Sequence, residues 1–162
     1  MPEKDPFQPL DADSRALARQ LIDTATSGAL ATTNPETGAP NVTRIAIGTD
    51  KDGTPVTLIS GLASHTPALR ADPRCALMLG EPPAKGDPLA FPRLMLDCRA
   101  AFIERTDPAF APLRDHFLAQ RPKSKLYIDL PDFAFARLEI DRATLNGGFG
   151  KAFRLAADDL SA

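Results

Sequence analysis

A short polar segment between a predicted strand and a predicted helix carries side chains suited to binding an anion. The strand ends at Ser60, and Ser64, His65 and Thr66 come just before Pro67. Threonine followed by proline is typical of a helix start. Backbone N–H groups at such a start, with hydroxyls and an imidazole beside them, form a receptor for phosphate. The alternative is ordinary capping, in which Thr66 satisfies a backbone donor and His65 lies in solvent.

Arg44 is the second candidate for anion binding. It lies in "NVTRIAIG", a strand that is otherwise largely apolar. An arginine in this position either extends to the rim of the sheet or pairs with an anion. Because Arg44 and the segment from Ser64 to Thr66 belong to adjacent strands of one predicted meander, the two signals together favour an anion site.

The segment "NGGFG" is the third candidate. It does not match G-x-G-x-x-G and it follows a late strand, so a dinucleotide-binding fingerprint is not indicated. Glycine within a strand marks a bulge or the close approach of a ligand or a second backbone. Two interpretations follow: Asn146, Gly147, Gly148 and Phe149 form the wall of a ligand pocket, or they form a purely structural bulge.

The composition excludes several classes of function. The net charge of −2 gives no basic surface for nucleic acid. No apolar run reaches the roughly 20 residues that a membrane span needs, and the polar N-terminus is unlike a signal peptide, so a cytoplasmic protein is expected. Cys75 and Cys98 are too few and too far apart in sequence for a disulfide framework, and with two histidines they predict no metal site. Both thiols are predicted to be buried and inert.

The remaining chain predicts one domain, residues 1–162, that is mostly β with inserted helices. A helix begins near Asp11 to Ser14 and ends before Gly28, and residues 1–13 are expected to be a flexible N-terminal segment. About six strands with Asn/Asp/Gly turns then indicate a small antiparallel barrel of the α+β class. The long strand "RLMLDCRAAFIER" is expected to need a bend or bulge. In "DFAFARLEID" one face carries Phe133 and Phe135; this face is expected to be exposed and to mediate a homodimer.

The order of these segments resembles a known family. "ALATTNPETGAPNVTRIAI", "DGTPVTLISGLASHTPALRADPRCALML" and "LNGGFGKAF" together resemble the pyridoxamine 5'-phosphate oxidase-like FMN-binding split-barrel superfamily over residues 14–155, with a closer likeness to its HugZ-type haem-utilisation branch. The resemblance implies an antiparallel split β-barrel that forms a homodimer with a flavin pocket at each side of the interface.

The resemblance also implies roles for the candidate residues. Arg44 would contact the FMN phosphate, and Ser60, Ser64, His65 and Thr66 would hold phosphate and ribityl oxygens. The segment Asn146–Phe149 would lie beside the flavin. Two departures bear on this assignment: Thr49 occupies the place of a family lysine, and His65–Thr66 replaces an Arg-Lys pair.

The main functional hypothesis is an FMN-binding flavoprotein that acts as an oxidoreductase on a small molecule. No residue is identified as a catalytic acid or base. The first alternative is a haem-binding or haem-utilisation protein of the HugZ type, with His65 as a candidate axial ligand. The second is a flavin-binding module without catalysis.

Overall fold

Eight strands form one antiparallel sheet in the computed structural model, which describes residues 5–161. The strands are β1 Ser27–Thr33, β2 Pro40–Ala46, β3 Gly48–Thr49, β4 Pro55–Ser60, β5 Arg74–Leu79, β6 Arg93–Ile103, β7 Phe133–Asn146 and β8 Ala152–Ala156. Their order is β2-β1-β5-β6-β7-β4-β3, and β8 also pairs with β7. The predicted antiparallel split barrel is confirmed, with eight strands in place of about six.

Strand β7 explains why the barrel is split. One edge of β7 pairs with β6 over residues 135–146. The other edge pairs with β4 over residues 133–137 and with β8 over residues 142–146. The register shifts between Asp97 and Cys98 of β6, where Asp97 pairs with Arg142 and Cys98 pairs with Ile140, so Asp141 is the extra residue of a β-bulge. A bend or bulge was expected in the long strand β6; the pairing is irregular at Asp97 and Cys98 of β6, but the extra residue belongs to β7.

Three α-helices are inserted between the strands: α1 Ala12–Thr24, α2 His65–Ala71 and α3 Phe110–Gln120. Short 3₁₀ segments span Pro88–Ala90, Pro122–Leu126 and Ala157–Leu160. Helix α1 begins with a capping box, because Asp11 Oδ1 accepts the Ser14 N–H at 2.7 Å and Ser14 Oγ accepts the Asp11 N–H at 3.0 Å. The predicted cap is therefore confirmed. No helix within residues 5–161 is long and apolar enough to cross a membrane.

The described part of the predicted N-terminal segment lies against the sheet. Phe7 forms a parallel bridge with Ala152, and the Arg154 guanidinium lies 3.8 Å from the centre of the Phe7 ring. Residues 1–4 lie outside the described part of the chain.

Two apolar cores hold the sheet and helices together. The larger core fills the barrel and includes Ile22, Leu30, Leu77, Leu96, Leu138 and Leu145. The smaller core lies where α3 covers β4 and β7. Here the Phe135 ring lies 5.3 Å from each of the Phe110 and Phe117 rings, and Phe135 has no exposed surface. The prediction that the phenylalanine face of β7 is exposed is therefore wrong, since α3 buries it.

An exposed apolar surface lies on the outer side of β1, β2, β5 and β6. Strand pairing places Arg44, Ala29, Met78, Met95, Thr144 and Arg154 in one row across the sheet. Val42, Met78 and Met95 are 64%, 51% and 41% exposed. We call this surface the methionine face; it consists of Ala29, Ala31, Val42, Ala76, Met78 and Met95.

Candidate functional site

Helix α2 starts two residues earlier than the sequence predicts. It begins at His65 with Ser64 as N-cap, and the Ser64 hydroxyl makes no capping hydrogen bond. Thr66, predicted to be the cap, is 4% exposed, and its hydroxyl donates to the Ser60 carbonyl at 2.6 Å. The helix has only seven residues. Thr66 thus anchors the loop to the end of β4, and its hydroxyl is already used within the protein.

His65 lies inside the protein. It is 8% exposed, and its Nδ1 lies 3.0 Å from the Thr43 hydroxyl on β2. Its Nε2 is buried without a hydrogen-bond partner. Burial lowers the pKa of the imidazole below its ordinary value, which favours the neutral ring. The alternative in which His65 lies in solvent is therefore wrong, and Nε2 is closed to a ligand in this conformation.

The two serine hydroxyls make local contacts. Ser60 Oγ donates to Asp132 Oδ2 at 2.6 Å and accepts the Leu62 N–H at 3.0 Å. Ser64 Oγ accepts from the Asn41 amide at 3.3 Å. Because the Asp132 carboxylate lies beside Ser60, an anion at this position is opposed by a like charge.

Arg44 lies on the other side of β2 from His65. Thr43, which contacts His65, pairs with buried Leu30, whereas Arg44 pairs with Ala29 of the methionine face. The Arg44 side chain is 79% exposed, and its only ion pair in the described residues is a 3.8 Å contact with Glu81. It lines a cleft of about 340 Å³. Within one chain, Arg44 and the start of α2 do not form a common phosphate site.

Asn146 is the last residue of β7, and residues 147–149 begin the turn between β7 and β8. The segment is therefore not a bulge within a strand, which was one of its two interpretations. Asn146 Oδ1 accepts the Gly148 N–H at 3.1 Å, and Gly148 has a φ of 116°. A Cβ at Gly148 would lie 3.1 Å from the carbonyl oxygen of Ala90. A second backbone therefore approaches Gly148 closely, and Phe149 at the tip is 73% exposed.

Sequence reasoning missed the methionine face. The alternation of side chains in β5 and β6 could have indicated it. Met78 and Met95 each lie between two buried leucines, so both methionines point to the opposite side of the sheet. Arginines surround the face: Arg44 at one end of its row and Arg154 at the other, with Arg142 beside Asp97 at 2.5 Å. Within residues 5–161 no three His, Cys, Asp or Glu side chains are arranged to hold a metal ion.

Comparison with known proteins identifies the family. Residues 15–147 match the model of the pyridoxamine 5'-phosphate oxidase family. The chain is 30% identical over 136 residues to the chloroplastic heme oxygenase HOZ of Arabidopsis thaliana, covering 83% of this chain and 40% of that protein.

Two solved structures share the fold. A protein of unknown function from Agrobacterium tumefaciens is 34% identical, with a TM-score of 0.82 over 96% of this chain and 64% of its own. A heme binding protein from Mycobacterium smegmatis is 28% identical, with a TM-score of 0.82 over 94% of this chain and 61% of its own. The chain thus spans less than two thirds of each of these three relatives. Its match over residues 15–147 shows that the chain belongs to the pyridoxamine 5'-phosphate oxidase family.

Proposed function

We propose that the protein binds haem on the methionine face. The observation that carries the proposal is an exposed apolar sheet surface with arginines at its rim. Exposed apolar surface of this kind usually marks a site of interaction. Three of its residues are alanines, which have short side chains. The longer side chains of Val42, Met78 and Met95 are exposed beside them.

The chemistry of the surface fits the chemistry of haem. The macrocycle is flat and apolar, and it packs against the alanine and methionine side chains. Its two propionates are carboxylates, for which arginine is the preferred partner. Arg44 is the best placed donor because its contact with Glu81 is long and both side chains are largely exposed. When bound, haem supplies one-electron and O₂ chemistry.

The side chains of the face also bear on iron ligation. His65 Nε2 is buried on the inner side of the sheet, so His65 does not reach this surface. Thioether sulfur is an axial ligand of haem iron in cytochromes c, and Met78 and Met95 supply this donor on the face. Because Met78 pairs with Met95, their side chains are neighbours on the same side of the sheet.

Two relatives support haem over other ligands. The Arabidopsis protein is a heme oxygenase by name, and the Mycobacterium protein is a heme binding protein by name. The chain spans 40% and 61% of these proteins, so the proposal covers binding and does not extend to either protein's full activity.

A second copy of the chain is the proposed partner. Two copies that meet across their methionine faces bury Val42, Met78 and Met95 and enclose a ligand between them. The dimer expected from the sequence is thus retained as a proposal, with its contact surface moved from the phenylalanine face of β7 to this side of the sheet.

FMN is the second candidate ligand. Family membership favours it, and the exposed guanidinium of Arg44 suits a phosphate. In that case the isoalloxazine would replace the macrocycle on the same face, and redox chemistry on a small molecule would follow from the flavin.

A paired titration tests the proposal. Purified protein is titrated with haemin, followed by its Soret absorbance, and separately with FMN, followed by flavin fluorescence. Met78→Glu places a charge on the face, and Leu126→Glu is the control because Leu126 is 87% exposed in the separate 3₁₀ segment Pro122–Leu126. We expect saturable haemin binding that Met78→Glu weakens at least about tenfold and Leu126→Glu leaves unchanged. Equal binding by both variants would contradict the site, and tight FMN binding without haemin binding would favour the second candidate.

A further inference from the structure

Cys75 and Cys98 face each other across two neighbouring strands. Residue pairing in β5 and β6 places them directly opposite, so both side chains leave the sheet on the same side. Opposed residues in antiparallel strands have Cα atoms about 4.5–5.5 Å apart, which lies within the range of about 4.4–6.8 Å that a disulfide needs. Both thiols are free. The fold therefore brings together two cysteines whose separation in sequence had argued against a disulfide.

We propose that Cys75 and Cys98 are a redox-active dithiol that forms an intramolecular cross-strand disulfide when it reacts with low-molecular-weight disulfides of the glutathione type.

The reaction has two exchange steps. The Cys75 thiolate attacks one sulfur of the oxidant, the oxidant's S–S bond breaks, and one thiolate leaves. Cys98 then loses its proton and attacks Cys75 Sγ, which expels the second thiolate and forms the protein S–S bond. Two protein thiols are oxidised, and one small disulfide is reduced to two thiols.

Access to the two sulfurs is unequal, and this sets the order of the steps. Cys98 is 2% exposed, whereas Cys75 is partly exposed. Both line a cleft of about 670 Å³. An oxidant in the cleft therefore meets Cys75 first. The buried position of Cys98 prevents a second small thiol from adding there, so the mixed disulfide resolves within the chain.

The surroundings of the pair slow the reaction at neutral pH. Burial raises the pKa of Cys75 to about 11, and the nearby negative charges of Asp141 and Asp72 add to this effect. Burial raises the pKa of Cys98 still further. The other charged groups lining the cleft are Arg74 on β5, Asp97 and Arg99 on β6, and Arg142 on β7, while β1 contributes the uncharged Thr32 and Thr33.

Two kinetic consequences follow from these raised pKa values. Attack by Cys75 accelerates by about tenfold per pH unit as pH rises toward its pKa, because only the thiolate reacts. A thiol of high pKa is also a poor leaving group, so reduction of the protein disulfide is slow. The disulfide therefore forms slowly at neutral pH and is also reduced slowly.

The disulfide closes the loop from 75 to 98, which contains the connection between β5 and β6. Two contacts of this connection involve the candidate site: Glu81 with Arg44, and the Ala90 carbonyl beside Gly148. Closing a loop of this length in the unfolded chain raises the melting temperature by about 6–12 °C for a domain of this size.

The experiment treats the full-length protein with oxidised glutathione at about pH 9 and follows it by intact mass, peptide mapping and thermal melting. We expect loss of both free thiols, a net loss of two hydrogen atoms, a Cys75–Cys98 peptide and a higher melting temperature. The Cys98→Ala variant should retain one glutathione on Cys75, and in Cys75→Ser the native Cys98 should stay unmodified.

The same reaction in urea controls for reagent activity. Two glutathione adducts on the native chain, an intermolecular disulfide, or a native chain that stays reduced while the unfolded chain reacts would each overturn the proposal. So would an oxidised protein that melts no higher than the reduced one.

Discussion

Arg44 and His65, expected from the sequence to share one phosphate, lie on opposite faces of strand β2. Thr43 points inward and contacts His65 at 3.0 Å, and Arg44, the next residue, points outward to the methionine face. The alternation of side chains along a strand makes this separation unavoidable. A ligand held by Arg44 therefore lies on the outside of the barrel, and His65 lies on the inner side, in contact with Thr43.

The first prediction concerns Arg44 as the anion contact. Arg44→Ala should weaken haemin binding by about tenfold or more, because a charge-assisted contact contributes about 1.5–3 kcal/mol. Lys123→Ala, which removes an exposed positive charge elsewhere, should have no effect. Titration calorimetry measures both. If FMN is the ligand, Arg44→Ala should weaken FMN far more than riboflavin, and equal losses would reject Arg44 as the phosphate contact.

The second prediction concerns the pH dependence of stability. The folded protein holds His65 neutral with a pKa below 6.5, whereas the unfolded chain takes up a proton near that value. The unfolded state thus binds more protons below pH 6.5, so stability is lost as pH falls, by at most about 1.4 kcal/mol per pH unit. Urea unfolding measured from neutral to acidic pH should show that His65→Gln loses less stability on acidification than the wild-type protein. His116→Gln, which removes the chain's other histidine, should lose as much stability on acidification as the wild-type protein.

The third prediction concerns a hydroxyl buried without a partner. Thr57 on β4 has no exposed surface, and its Oγ1 has no hydrogen bond. Thr57→Val keeps the shape and removes the unsatisfied group, so the free energy of unfolding should rise by about 1 kcal/mol. Thr43→Val is the matched control, because its hydroxyl does have a partner in His65 and its loss should destabilise. A destabilised Thr57→Val would show that this hydroxyl is satisfied in solution.

The fourth prediction compares two glycines of the β7–β8 turn. Gly150 has a φ of 70° and open space around its Cβ position, so Gly150→Ala should cost about 1–2 kcal/mol of stability from backbone strain alone. Gly148→Ala should cost at least about 1 kcal/mol more, because its φ is 116° and its Cβ would meet the Ala90 carbonyl at 3.1 Å. Thermal melts with and without ligand measure both. A Gly148→Ala protein that melts normally but binds ligand poorly would support a pocket wall instead.

The fifth prediction concerns assembly. Light scattering at micromolar concentration should give about twice the mass of the chain, because we propose that a second copy covers the exposed methionine face. Met95→Glu should raise the dimer dissociation constant by more than about tenfold, whereas Leu126→Glu should not change it. A wild-type protein that stays monomeric across this range would reject the shared interface.

The fold was largely predictable because its signals are local. The capping residues at Asp11 and Ser14, the turn residues between strands and the order of elements all appear in the sequence, and they predict a small antiparallel barrel. The split form of the barrel was implied by the resemblance to the family. The covering of Phe135 was not predictable, since it depends on α3 folding back over β4 and β7. Amphipathic pattern shows which residues share a face, and it does not show which element covers that face.

The site was less predictable than the fold, for a similar reason. Arg44 and His65 were both identified, but their separation depends on helix α2 lying against the inner side of β2, where His65 contacts Thr43. The methionine face could not be predicted without knowing that β5 pairs with β6, because this pairing brings Met78 and Met95 together. Cys75 and Cys98 are a second instance, being far apart in sequence and opposite each other in the sheet.

The visible absorption spectrum of the protein as purified, before and after one equivalent of haemin, tests the central claim most directly. Haem binding on the methionine face predicts a Soret band that sharpens, shifts and saturates at a fixed stoichiometry, and that Met78→Glu largely abolishes. Flavin bands in the purified protein with no Soret change on haemin addition would contradict the account, as would a spectrum with neither.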